Sequence, residues 1–294
     1  MLENREIMMK MFPDLFHSNR VQRVDDYPTR LLQTLMSLAP KKCDSSIPTV
    51  VLLTPGHLNS AYYEHTFLSD QMGIEMVEAS DLYVENDLVY MKTVDGPKKV
   101  DVIYRRIDDN YIDPLFYNAD SVIGVPGIIH AYRTGGVNIC SAPGCGIADD
   151  KAIYIYVPEM IKFYLGEMPI LENVETWRCE KDDELKYVLE NIKNLVVKEV
   201  DGSGGYGMLI GPKSTEKTIE QFSLKLKNNP KGYIAQPTLD LSSSPTLIDN
   251  EITGRRVDLR PYCLIGKHAQ LCPGGPTRVA LNKLSLIHIS EPTR

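Results

Sequence analysis

The sequence has no apolar run approaching the ~18 residues a membrane-spanning helix needs, and Met1-Leu2-Glu3-Asn4-Arg5 has no apolar signal core behind it. It has no C-x-x-C pair among Cys43, Cys140, Cys145, Cys179, Cys263 and Cys272, so neither a secreted disulfide framework nor a zinc ribbon is indicated. Its six histidines show no H-x-x-x-H or H-E-x-x-H spacing, which would aim two metal ligands from one helical face. It also lacks an excess of positive charge. Lys+Arg 32 against Asp+Glu 39 leaves a net charge of −7, which argues against a nucleic-acid groove, where clustered cations supply most of the affinity. No membrane or nucleic-acid partner is expected, and the thiol pattern suits the reducing cytoplasm. What remains, with 43% hydrophobic and 24% charged residues over 294 positions, is a globular chain long enough for one large domain or two ordinary ones.

The chain alternates strand and helix signals. Leu31, Leu32, Leu35, Met36 and Leu38 recur near the 3.6-residue period, giving a helical segment within residues 1–45. Thr49–Thr54 is a short β-branched run closed by Pro55-Gly56, and it reads as a buried strand. Asn59 or Ser60 suits the cap of a helix that carries Ala61, His65, Leu68 and Met72 on one stripe and stops at Gly73. Strands at Glu75–Ala79 and Val100–Tyr104 and a hairpin over Leu82–Lys92 complete an α/β layer with a largely parallel sheet over residues 46–140. Beyond the Ser141–Gly146 loop, Asp149-Asp150-Lys151 reads as a helix start. A helix at Leu185–Ile192, a strand at Leu195–Lys198, a further strand at Met208–Ile210, a helix at Ile219–Leu226 and strands at Tyr233–Ala235 and Val257–Ile265 follow.

The sharpest local signal is Asp201-Gly202-Ser203-Gly204-Gly205-Tyr206-Gly207, where four glycines in six positions free backbone N–H groups to meet an anion. A strand follows it, not the helix that a Walker loop or a Rossmann fingerprint requires, so it reads as a β-hairpin tip suited to phosphate. A glycine-rich hairpin with no ligand reads the same way at this level. Lys198 ends the apolar strand three residues earlier, where a buried ammonium is expensive without an anionic partner, although a solvated strand end is the alternative.

Six segments in order carry a resemblance that covers nearly the whole chain to about Lys283. They are Val102–Asp109, Gly146–Lys151, Val196–Gly207, Ile234-Ala235-Gln236-Pro237, Val257-Asp258-Leu259-Arg260-Pro261 and Pro273–Ala280. Together they resemble the circularly permuted ATP-grasp type 2 family, similar in design to eukaryotic glutathione synthetase and glutathionylspermidine synthase. The resemblance implies an α/β fold in which a pre-ATP-grasp-like layer (46–140) precedes an ATP-grasp region (141–283). It implies ATP and Mg2+ as cofactors, and small-molecule carboxylate and amine substrates, of peptide or amino-acid type, joined through an acyl phosphate.

By the same resemblance, Lys151 and Lys198 would hold nucleotide phosphates, with Gly202, Ser203, Gly204, Gly205, Tyr206 and Gly207 closing over them. Gln236 would sit at the adenine edge, or else be a polar strand end before Pro237. Arg105, Arg106 and Arg278 would grip the acceptor carboxylate or the transferring phosphate. Strand alternation sends only one of Arg105 and Arg106 inward, and Arg106 is taken as the functional one, with Arg278. Asp201 and Asp258 are the candidates for magnesium, although Asp258 equally suits an ion pair with Arg260. Asp108, Asp109 and Asp113 read mostly as solvated loop.

Glu199 and Pro276 depart from the family's usual residues. The family chain is expected to begin before Met1 and to continue past Ala280, so an interior fragment, itself inactive in ligation, is expected. Residues 284–294 resemble a translated sequencing-library adaptor. The rival function is a non-catalytic ATP-binding module that regulates a partner. A nicotinamide dehydrogenase is disfavoured because no G-x-G-x-x-G follows Leu53.

Overall fold

The computed structural model describes residues 2–202, 207–275 and 277–280. In chain order the elements are α1 (Leu2–Met11), α2 (Pro13–Ser18), α3 (Tyr27–Ser37), β1 (Val50–Leu53), α4 (Tyr62–Met72), β2 (Glu75–Val77), β3 (Leu82–Glu85), β4 (Leu88–Thr93), β5 (Gly96–Val100), β6 (Val102–Arg105), α5 (Ile128–Arg133) and β7 (Asn138–Cys140). They continue as α6 (Val157–Leu165), β8 (Trp177–Arg178), α7 (Asp182–Asn191), β9 (Leu195–Glu199), β10 (Met208–Ile210), α8 (Glu216–Asn228), β11 (Tyr233–Pro237), β12 (Ser243–Ile248), β13 (Glu251–Leu259), β14 (Cys263–Ile265), β15 (Ala269–Leu271) and β16 (Thr277–Val279). Contacts divide the chain into two units, Met1–Cys145 with Arg260–Pro276 and Gly146–Leu259 with Thr277–Arg294.

The first unit is built on a four-stranded parallel sheet in the order β2-β1-β6-β7. Val51, Leu52, Leu53, Val102 and Ile103 are buried on both faces, as strands covered on both sides require. One face packs Val51, Leu53 and Ile103 with Ile112, Ile128 and Ile139, and the other packs Leu52 and Val102 with Leu31, Leu35 and Met72. Each such side chain contributes roughly 1.5–3 kcal/mol when fully buried. Gly73, at φ +67, stops α4 as a left-handed C-cap.

The hairpin expected over Leu82–Lys92 gains a third strand, and Asn86 and Asp87, both at positive φ, form the two-residue turn that hairpin twist favours. Two expectations are corrected. The run Val100–Tyr104 is two strands, broken at buried Asp101, whose carboxylate accepts from the Thr49 N–H at 2.9 Å. The α4 cap position is Ala61, and Asn59 instead accepts the Ala61 N–H at 2.9 Å just ahead of the helix.

The second unit carries an antiparallel-paired sheet in the order β10-β9-β11-β8 and a ribbon β12-β13-β16. The sheet's Leu195, Val197, Leu209, Tyr233 and Ala235 pack against Val188 of α7 and Ile219, Phe222 and Leu226 of α8. By alternation, Val196, Lys198, Ile234 and Gln236 lie on the opposite face. Thr215 caps α8, its hydroxyl accepting the Thr218 N–H. The helix expected at Asp149-Asp150-Lys151 is corrected to two 3-10 turns, with α6 starting only at Val157. The strand expected at Val257–Ile265 is likewise two elements, separated where Pro261 removes an N–H.

Candidate functional site

β9 and β10 run antiparallel with Lys198 opposite Met208, so the stems of the glycine-rich segment form a hairpin. Ser203, Gly204, Gly205 and Tyr206 lie outside the described residues. Gly202 and Gly207 are half-buried at the two stems. Gly207 sits at φ +65, a left-handed conformation that favours glycine, with the Glu199 carboxylate close against its α-carbon. Asp201 is exposed at the near stem.

Lys198 lies on the sheet face turned away from the helices, part-buried, and its Nζ donates to Gln236 Oε1 at 2.7 Å. Gln236 Nε2 in turn donates to Thr176 Oγ1 at 2.8 Å, and Thr176 Oγ1 donates to the Val174 carbonyl at 2.9 Å. This relay fixes the amide so that its oxygen faces the ammonium. Among the described residues no carboxylate forms an ion pair with Lys198. Burial first, and then the nearby charge of Lys151, push its pKa below the usual lysine value. Two cations are therefore held close together and partly out of water, an arrangement that suits an anion.

Lys151 is committed differently. Its Nζ donates to the carbonyls of Glu199 at 2.9 Å, Val200 at 3.3 Å and Gly202, while its own N–H bonds the Val200 carbonyl at 3.0 Å. It thus ties down the near stem of the glycine-rich segment. Gln236, expected at the adenine edge or as a polar strand end, has its side-chain amide bonded to Lys198 and Thr176. Thr176 and Arg178 were not singled out from the sequence. Arg178 pairs with Ile234, placing it on the Lys198 face, and it forms an ion pair with Glu180 at 3.0 Å. The two-residue strand β8 is too short to show alternation, and the 60-residue separation between Thr176 and Gln236 leaves no local signal.

Asp258 is half-buried on β13, with Arg278 opposite it in the backbone register of β16. Among the described residues no group of three or more His, Cys, Asp or Glu side chains is gathered as a metal cage. Magnesium does not need one, because it commonly uses one or two carboxylates together with substrate phosphates. Asp201 and Asp258 fit that chemistry.

In the first unit, alternation separates the adjacent arginines, but the inward one is Arg105. Its side chain is 7% exposed and forms an ion pair with Asp109 at 2.7 Å, while Nε donates to the Ser141 carbonyl at 2.6 Å and Nη1 to the Ile107 carbonyl at 2.7 Å. Arg106 is the exposed one and opens onto a cleft. The reading of Asp109 and Asp113 as solvated loop is corrected. Asp109 anchors Arg105, and Asp113 is 1% exposed, its carboxylate accepting the N–H groups of Leu115, Gly127 and Ile129. All six cysteines are free thiols. Among the described residues no helix is long and apolar enough to cross a membrane.

Residues 1–280 match the family model described as circularly permuted ATP-grasp type 2. The chain belongs to that family. It is 51% identical over 287 residues to an uncharacterized protein of Synechocystis sp., covering 97% of this chain and 59% of that protein. An uncharacterized protein of Mycobacterium tuberculosis is 50% identical over 282 residues, 95% of this chain and 51% of that protein. A Frankia casuarinae protein named "Putative glutamate--cysteine ligase 2-2" is 36% identical over 282 residues, 95% of this chain and 32% of that protein. The chain spans about half the length of the uncharacterized relatives it matches, and the α/β architecture above is the ATP-grasp fold of the family.

Proposed function

We propose that the protein to which this chain corresponds is an ATP-dependent carboxylate–amine ligase. A substrate carboxylate oxygen attacks the γ-phosphorus of ATP, ADP leaves, and the resulting acyl phosphate is opened by an amine nitrogen with release of phosphate. The observation that carries this reading is Lys198, a part-buried ammonium near the charge of Lys151 and with no carboxylate partner among the described residues, on the strand that leads into the glycine-rich segment. Phosphate oxygens would complete both its charge and its hydrogen bonds.

In this reading Gln236 and Thr176 position Lys198, and Lys151 holds the loop stem. Gly202, Ser203, Gly204, Gly205, Tyr206 and Gly207 cover the phosphates and exclude water. Asp201 and Asp258 would hold Mg2+, which neutralises charge on the transferring phosphoryl group. Arg106 and Arg278 take the acceptor carboxylate or the moving phosphoryl group. The likeness to glutathione synthetase and glutathionylspermidine synthase and the name of the Frankia relative support peptide or amino-acid substrates. The free thiols support a cytoplasmic setting.

The test is phosphate release from ATP by a full-length relative, such as the Synechocystis protein, screened with amino acids and polyamines. Release that depends on both a carboxylate and an amine is expected. ATP binding with no acceptor-stimulated release would contradict the ligase and favour a nucleotide-binding module that regulates a partner.

A further inference from the structure

The second unit uses its helices in two ways. α7 and α8 each turn an apolar stripe into the core, burying Val188 in one and Ile219, Phe222 and Leu226 in the other, and keep their charges outside. α6, Val157–Leu165, carries only Glu159 and Lys162 as charged residues, yet none of its nine residues is buried. Phe163 is 80% exposed, and Met160, Tyr164 and Leu165 are exposed with it. The run continues past the helix through exposed Met168, Ile170 at 96% and Leu171. Taking ~150–250 Å² for each ring, Phe163 and Tyr164 alone show roughly 250–400 Å² to solvent. That already falls in the ~300–600 Å² range of the largest apolar patch on a typical monomer, before the aliphatic side chains are added.

The display is built into the fold. Pro158 stands in the first turn of α6, and Gly166, at φ +68, ends it as a left-handed C-cap. Beyond the exposed run, Asn173 Nδ2 donates to the Tyr154 carbonyl at 2.8 Å and the Val174 N–H donates to the Tyr154 hydroxyl at 2.8 Å, which ties the run back to the 3-10 turn ahead of the helix. At about 100° per residue, half-buried Val157 and Ile161 form one stripe of α6, with Tyr164, Met160 and Phe163 to one side of it and Leu165 to the other. The apolar side chains therefore span roughly 200° of the helix and leave only Glu159 and Lys162 opposite. So wide an apolar arc belongs to a helix enclosed by protein on more than one side, whereas a two-fold pairing with a second copy would cover a single stripe. Glu159, Glu167 and Glu172 against Lys162 give the surroundings the wrong charge for an anionic membrane. The relatives do have polypeptide to spare for a cover: roughly two-fifths of the Synechocystis protein and about half of the Mycobacterium tuberculosis protein lie outside the matched region.

We propose that α6 and the run to Leu171 form an internal joint: in a protein of the relatives' length, polypeptide from outside the matched region packs an apolar face over them. The joint needs neither nucleotide nor substrate, so it stands or falls apart from the ligase reading.

The experiment is carbene footprinting read by mass spectrometry, on the 294-residue chain and on the full-length Synechocystis protein, with the mass of each in dilute solution checked by sedimentation. Val157–Leu171 is expected to label heavily in the chain, and the aligned segment of the monomeric full-length protein about tenfold less, the drop from a mostly exposed to a buried side chain. A second readout is thermal. Phe163→Glu combined with Ile170→Glu is expected to leave the melting temperature of the chain unchanged, because both side chains already stand in water. Glutamates at the aligned positions of the full-length protein are expected to lower its melting temperature by about 5–10 °C. Equal labelling of the segment in the two proteins, protection of the segment in the chain itself, or an unshifted melt of the full-length variant would each overturn the proposal. Protection that appears only where the full-length protein sediments as an oligomer would overturn it in favour of a second copy, and protection only on added anionic vesicles would overturn it in favour of a membrane.

Discussion

The two units hold their polar side chains by opposite means. In the parallel sheet of the first, β1 and the start of β6 are buried on both faces, so Thr54 and Arg106 emerge only where those strands end. In the second, an antiparallel-paired sheet covers one face with α7 and α8 and leaves the other to Lys198 and Gln236 within the strands themselves. A parallel sheet thus offers an edge and an antiparallel one a face. The same contrast appears in the paired cations. Arg105 is consumed by Asp109 and three carbonyls where its neighbour Arg106 is left open, and Lys151 is consumed by the loop stem where Lys198 is left with an amide. In each unit one cation builds the site and the other faces it.

The two cores should respond separately to unfolding. Leu53→Ala in the first core and Leu226→Ala in the second each remove a fully buried side chain and should cost about 2–5 kcal/mol. If the cores are separate, each substitution lowers its own transition in denaturant unfolding followed by tryptophan fluorescence, since Trp177 packs against the second core, and by circular dichroism. A single transition shifted equally by both would merge the two.

A smaller effect sharpens the account of the loop stem. Gly207→Ala forces an alanine to φ +65 and should cost about 1–2 kcal/mol for the backbone, while the Glu199 carboxylate, at the end of a flexible side chain, swings aside. Adding Glu199→Ala should leave that cost nearly unchanged, measured as ΔΔG in urea. A recovery of most of the loss would mean that Glu199 is held in place and that the clash, not the backbone, sets the cost.

The smallest effect concerns the end of β1, where Thr54 meets His65. His65 has a folded pKa below 6.5, so the unfolded chain takes up its proton first as pH falls. Stability is therefore fully present above about 6.5 and declines as pH drops through the folded pKa, with a slope of at most about 1.4 kcal/mol per pH unit for one proton. His65→Asn should flatten the pH dependence of thermal melts between neutral and mildly acid pH. An unchanged slope would assign it to other groups.

Much of this was readable in the residues. Val50–Leu53, the stripe of α4 ending at Gly73, the apolar face of α8 and the glycine-rich hairpin all follow from local periodicity and turn chemistry. The ribbon β12–β13 carries little apolar alternation to mark it, although Asp249 and Asn250 form the positive-φ turn that joins it. What could not be read was long-range. The choice between Arg105 and Arg106 depends on Ser141 and Ala142, the relay from Thr176 to Lys198 crosses three strands, and the Thr54–His65 pair tethers a strand end to a helix. The acidic run misled because Asp113 satisfies buried backbone N–H groups, a use with no signature in spacing.

In the proposed reading the open face of the second sheet holds nucleotide phosphates through Lys198, and calorimetric titration of ATP, with Mg2+ present, into the chain and its Lys198→Met variant decides it, with circular dichroism to confirm that both are folded. Lys198→Met is expected to weaken ATP binding by about 10- to 100-fold while the apo chain melts no lower, because a part-buried charge has been replaced by an apolar chain of similar length. A folded Lys198→Met chain that binds ATP as tightly as the parent would contradict it.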